Sequence, residues 1–127
     1  MKNIDLISIA KKAREKAYAP YSKFKVGAAL LTQDGQVFEG CNVENATYGL
    51  AVCAERTAVV SAVAAGARNF ERIAIVADTP EPCAPCGLCL QTLAEFAPEL
   101  PLVLTNLKGD VEETTLRALM PRQFKLS

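Results

Sequence analysis

Three cysteines and one glutamate constrain this chain more than any other residues: Cys53-Ala54-Glu55 and, thirty residues later, Pro85-Cys86-Gly87-Leu88-Cys89. If three thiolates share one ion, any fold of the chain must bring both segments to one place. Three protein ligands leave the fourth position of a tetrahedral zinc ion to water, which separates a catalytic zinc from a closed structural one. Glu55 stands beside that set without belonging to it. The pattern points to hydrolysis.

The rest of the composition narrows the chemistry. There is no histidine among the 127 residues, which removes Ser-His, Cys-His and His-metal mechanisms and leaves proton transfer to carboxylates or to water on a metal. Fourteen basic residues balance fourteen acidic ones, so no bulk positive field exists to hold a nucleic acid polymer. Lysines and arginines gathered in the first 25 positions read as the solvated face of a helix. Five cysteines, an odd number, and an N-terminus without the apolar stretch of a secretory signal are expected of a reducing, cytoplasmic location, and no run is long enough to span a membrane. Half the residues are apolar, enough for a single domain over residues 1–127 to bury a core without disulfides.

Leu6, Ile9, Ala10, Ala13 and Ala17 recur at helical spacing and predict an amphipathic helix over roughly 4–17, stopped near Pro20. Residues 26–31 and 37–41 flank Asp34-Gly35, a hairpin signal. The Ala-rich run from Cys53 to Gly66 predicts a buried helix with a glycine stop. Residues 72–77 read as a strand buried on both faces, 87–96 as a second short helix, 102–104 as a fourth strand and Val111 as the start of a weak fifth. Helices between apolar strands imply an α/β fold of three layers, α-β-α, around a mixed sheet of about five strands.

Cys53 opens one predicted helix and Cys86 and Cys89 open the next, where unpaired amide N–H groups and the positive end of the helix dipole favour thiolates. Three thiolates on one divalent ion leave net negative charge, and Arg56 is the candidate for offsetting it. Glu55, two positions from Cys53, can carry protons to and from the water position. Spacing alone leaves two other readings open. Cys83, Cys86 and Cys89 form C-x-x-C-x-x-C, part of an iron–sulfur run with Cys53 or Cys41 as fourth ligand, and Cys86-Gly87-Leu88-Cys89 resembles a thioredoxin-like redox pair. The first gives Glu55 no task and the second gives Cys53 none. Cys41 and Cys83 otherwise read as small buried or loop residues.

The run Gly40-Cys41-Asn42-Val43-Glu44-Asn45-Ala46-Thr47-Tyr48-Gly49-Leu50, continued by Val52 through Ala58, resembles the small homotetrameric zinc-dependent cytidine deaminases. Residues 19–30, and Pro85-Cys86-Gly87 with Gln91, Glu95 and Phe96, match two further blocks of that family in the same order, so the resemblance covers essentially the whole chain. It implies that Cys53, Cys86 and Cys89 bind one zinc per chain and that Glu55 is the acid–base residue. It also implies that Asn42 and Glu44 hold ribose hydroxyls, that Phe24 packs beside the nucleoside, and that the Ala54 and Cys86 backbones orient the base. An amide and a carboxylate together donate to and accept from a sugar diol. In this family the Tyr48 position and a C-terminal phenylalanine, here Phe124, reach active sites of neighbouring subunits, which implies a homotetramer with shared pockets. The implied reaction, a step of pyrimidine salvage, deaminates cytidine or deoxycytidine to uridine or deoxyuridine with release of ammonia.

The chain departs from the family pattern at three places. Leu90 follows the last cysteine where arginine is usual, losing a charge and up to five donors. Ala84 stands where serine is common, a change that a backbone carbonyl can absorb. Arg122-Gln123 replace the small residues usual before the final phenylalanine. These changes leave room for the same chemistry on another base or on a blasticidin-type nucleoside antibiotic. A reading from a different class is a noncatalytic zinc-stabilised binding module, against which Glu55 beside an incomplete ligand set speaks.

Overall fold

The computed structural model describes residues 1–126; Ser127, the last residue of the expected domain, lies outside them. Five strands form one mixed sheet in the order β2-β1-β3-β4-β5: β1 (Val26–Thr32), β2 (Val37–Cys41), β3 (Phe70–Ala77), β4 (Pro101–Thr105) and β5 (Val111–Thr115). Only β3 and β4 pair in parallel, because the chain between them crosses over through a helix rather than a tight turn. The central strands β1, β3 and β4 are near-continuous apolar runs, and both their faces are covered.

Helix α1 (Asn3–Arg14) covers one face, where Leu6 and Ala10 pack on Ala29, Leu31, Ala74, Val76 and Val103. Helices α2 (Ala54–Ala64) and α3 (Gly87–Phe96) cover the other, with Ala58, Val59, Leu90 and Leu93 against Leu30, Ile73, Ile75 and Leu104. Alternation along each strand thus feeds two cores. The three-layer, roughly five-stranded α/β arrangement expected from the sequence is the one observed.

Three local expectations are corrected. The first helix stops at Arg14 rather than near residue 17. There the chain leaves the helix so that Tyr18 N can donate to Asn42 O (3.0 Å) and Glu44 N to Tyr18 O (2.8 Å), joining the start of the chain to the segment after β2. Helix α2 is not buried all round: Val60 is 57% exposed, and Ser61 and Ala64 lie on the same open side. A short helix α4 (Leu116–Leu119), without a clear sequence signal, follows β5; Thr115 caps it by accepting from Ala118 N (3.1 Å), and Leu116 is buried. Gly66 closes α2 at φ 96°, a conformation that favours glycine. Among the described residues, no helix is long and apolar enough to cross a membrane.

Gly40 sets how closely α2 approaches the sheet. A Cβ there would lie 2.2 Å from Ala54 O and 2.9 Å from Ala58 Cβ, so the bare backbone of β2 is what lets the first turn of α2 settle. Gly40→Ala is expected to lower stability by about 2–3 kcal/mol through overpacking against helix backbone. Urea unfolding of the variant beside the parent measures it, and an unchanged midpoint would contradict the close-approach account.

Candidate metal centre and active site

Cys53 and Cys86 immediately precede α2 and α3, and neither side chain caps its own helix. Both sulfurs are therefore free to turn toward a common centre. The Sγ atoms of Cys53, Cys86 and Cys89 all lie within 4.8 Å of one another, and those of Cys86 and Cys89 are 3.6 Å apart. Three sulfurs on a tetrahedral zinc with bonds of about 2.3 Å stand about 3.8 Å apart, so the trio fits that ion. Cys41 and Cys83 stay outside it. The iron–sulfur arrangement thereby loses Cys83 as a ligand, and the presence of Cys53 in the trio exceeds what a redox pair requires.

The sulfurs differ sharply in charge. Cys53 is lowered from 9.0 to about 5, chiefly because Cys89 donates a hydrogen bond to it, with the Arg56 guanidinium adding a second one (Nη2 to Sγ, 3.9 Å) and its charge. Cys89 is pushed above the usual thiol range by that same hydrogen bond, by burial and by the charge of Glu55. Glu55 is only 5% exposed, and its carboxyl is raised chiefly by burial, with the Cys53 charge adding to it. A carboxyl raised in this way and facing a cavity is suited to taking up and returning a proton. Arg56 also donates to Ala51 O (3.2 Å), while its Nε is buried without a hydrogen-bond partner among the described residues. Leu90 packs into the core between α3 and the sheet and brings no charge to the trio.

Phe24, Asn42, Cys53, Ala54, Glu55 and Cys86 line one cavity of about 260 Å³, with Val26, Ile75 and Ala77 as apolar walls. It lies where β3 ends, and a parallel strand's carboxyl end is where open α/β sheets place ligands. Asn42 holds the cavity edge: Oδ1 accepts from Val26 N (2.8 Å) and Nδ2 donates to Phe24 O (2.7 Å). Periodicity read Ile75 and Ala77 only as core; their position at the strand end was the missing signal.

Three of the expected substrate-binding residues do not line this cavity. Glu44 and Tyr48 line a neighbouring one of about 300 Å³ with Tyr21 and Ser22. Glu44 Oε1 accepts from Tyr21 N (3.0 Å) and Ser22 N (3.1 Å), and Oε2 accepts from Ser22 Oγ, which holds the carboxyl below its usual range. Tyr48 is 79% exposed and meets the Tyr21 ring edge-on, with centroids 6.3 Å apart. Phe124 is 68% exposed beside α3, and its carbonyl accepts from Gln91 Nε2 (3.2 Å).

Residues 1–104 match the family described as the cytidine and deoxycytidylate deaminase zinc-binding region. A cytidine deaminase of Sporosarcina psychrophila is 57% identical over 94% of this chain and 88% of its own. One from Halalkalibacterium halodurans is 52% identical, covering 94% of this chain and 91% of its own. The crystal structure of a cytidine deaminase from Burkholderia pseudomallei shares 59% identity and superposes with a TM-score of 0.96, covering 98% of this chain and 100% of that one.

The lowered Cys53 pKa has a measurable consequence in protein stripped of metal. Because the shift is downward, the interactions behind it stabilise the fold in full above pH 9 and are lost as pH falls through about 5. Alkylation of Cys53 by iodoacetamide, followed by peptide mass spectrometry, is expected to persist to a midpoint near pH 5, and Arg56→Ala to move that midpoint upward. A midpoint near 9 in the parent would contradict the charge distribution.

Proposed function

This chain belongs to the cytidine and deoxycytidylate deaminase zinc-binding family, and on that premise we propose that it hydrolyses cytidine and deoxycytidine to uridine and deoxyuridine, releasing ammonia. The observation that carries the reading is the meeting of Cys53, Cys86 and Cys89 with a buried Glu55 at one apolar-walled cavity. Cys53, Cys86 and Cys89 would hold a zinc ion, which would supply Lewis-acid activation of water for attack on C4 of the pyrimidine. Glu55 takes a proton from the attacking water and delivers it to the ring nitrogen, then takes the second proton from the hydroxyl newly bonded to C4 and passes it to the leaving amine, so that the C4–N bond breaks as the carbonyl forms, work that suits a carboxyl raised by burial.

The remaining residues orient the substrate. Phe24 packs on the nucleoside, and Val26, Ile75 and Ala77 wall the base on its apolar faces. The Ala54 and Cys86 backbones direct the ring, and the Ala84 carbonyl accepts from the leaving amine. Asn42 and Glu44 hold the ribose hydroxyls, each already fixed by backbone hydrogen bonds before substrate arrives. Arg56, donating to Cys53, offsets thiolate charge without help from position 90.

The assembly is a homotetramer with shared pockets, in which Tyr48 and Phe124 reach the cavities of neighbouring copies. Its support is their exposure away from their own cavity, together with exposed Val60 on α2 and Leu88 on α3, the two helices of one layer. A cytoplasmic location, in pyrimidine salvage, keeps the five free cysteines reduced. Residues 1–127 act as one catalytic domain.

Zinc quantification and the fall in pyrimidine absorbance, measured on one preparation, test cofactor and reaction together. About one zinc per chain and turnover of cytidine and deoxycytidine are expected. Turnover confined to another base or to a blasticidin-type nucleoside would redirect the substrate, and zinc-loaded protein inert on every nucleoside would favour a binding module. Glu55→Gln is expected to lower kcat by about 10²–10⁴-fold while retaining zinc, whereas Cys53→Ala loses the metal. Zinc lost together with activity in Glu55→Gln would contradict this division of roles. Light scattering is expected to give the mass of four chains; a monomer would remove the shared pockets.

A further inference from the structure

Between β3 and α3 the chain runs irregularly, and Cys83, Ala84, Pro85 and Cys86 from this crossing form one rim of the cavity. One end of the rim is held by Cys86 in the sulfur trio. Among the described residues, the stretch from Pro80 to Pro85 is tied to another element by one hydrogen bond, from Asn106 Nδ2 to Pro80 O (3.2 Å). Pro80, Pro82 and Pro85 have fixed φ angles, so a hold at Pro80 is passed along a stiff segment.

Asn106 directly follows β4 and is 0% exposed. Its amide is used at four points: Nδ2 also donates to Asp110 Oδ2 (2.9 Å), and Oδ1 accepts from Lys108 N and Asp110 N (both 3.0 Å). That is its full hydrogen-bonding capacity. A buried amide so satisfied has one orientation, and the turn from β4 to β5 becomes a rigid bracket for the rim.

We propose that Asn106 is a positioning residue for the reaction: it touches no substrate, but by holding Pro80 it fixes the rim that carries Ala84 and its carbonyl. The kinetic consequence rests on the deaminase reading above. The mechanical consequence does not.

The paired change Asn106→Asp with Asp110→Asn keeps acceptors for the backbone N–H groups of positions 108 and 110 and keeps an amide-to-carboxylate bond between the two side chains. What it deletes is the donor to Pro80. Asp110→Asn alone retains that donor and is the control. In the zinc-loaded native protein, ¹⁵N relaxation is expected to give Cys83 and Ala84 order parameters near the rigid value of about 0.85, falling below about 0.6 in the paired variant. With cytidine, kcat is expected to fall about 10-fold or more with a smaller change in KM, zinc content remaining about one per chain. The control stays within about twofold of native kinetics and keeps a rigid rim. A rim already mobile in the native protein overturns the proposal whatever the variants do, including a paired variant that fails to fold. So does a folded paired variant whose rim stays rigid, or whose kcat is native at a temperature well below its Tm. If the native protein turns over no nucleoside, the deaminase reading falls, and the relaxation measurement still decides whether Asn106 holds the rim.

Discussion

The structure depends on bringing two helix starts, each preceded by a cysteine, against one another on the same face of a sheet. Three sulfurs within 4.8 Å cannot all carry charge without a cation among them. In the protein alone the conflict is settled by sharing: Cys53 holds the charge, Cys89 keeps the proton, and Arg56 leans on Cys53. A divalent ion removes the need for that compromise. The affinity of such a centre and the packing of α2 and α3 are therefore two aspects of one balance.

The sheet divides its duties between faces. On one side α1 packs Leu6 and Ala10 onto the strands and brings none of the sulfur ligands or Glu55. On the other, α2 and α3 pack just as tightly through Ala58, Val59 and Leu93, but their starting turns carry Cys53, Glu55, Cys86 and Cys89. Gly40 joins the two roles, since the backbone approach it permits sets where Ala54 and its neighbours stand.

Most of the fold was legible because its signals are local. The unbroken apolar run of β3, the Asp34-Gly35 hairpin and the Gly66 stop each carry their structure in a few residues. The sulfur trio and Glu55 were legible because metal ligands are rare residue types at restrictive spacing. What escaped was non-local. The early end of α1 is dictated by Tyr18 pairing with Asn42 and Glu44, partners more than twenty positions away. Asn106 looks like any polar residue after a strand, and only the folded chain brings Pro80 to it. Glu44 and Tyr48 stand in one motif with Asn42, yet they line a different cavity, a separation that adjacency in sequence conceals.

The outer strand β5 ends the sheet with Val111, Glu112, Glu113 and Thr115 all exposed. An open strand edge is a template on which any extended chain can add itself, and carboxylates along it repel such additions. On this side the sheet therefore carries a built-in deterrent to edge-to-edge, fibril-like growth between copies of the chain.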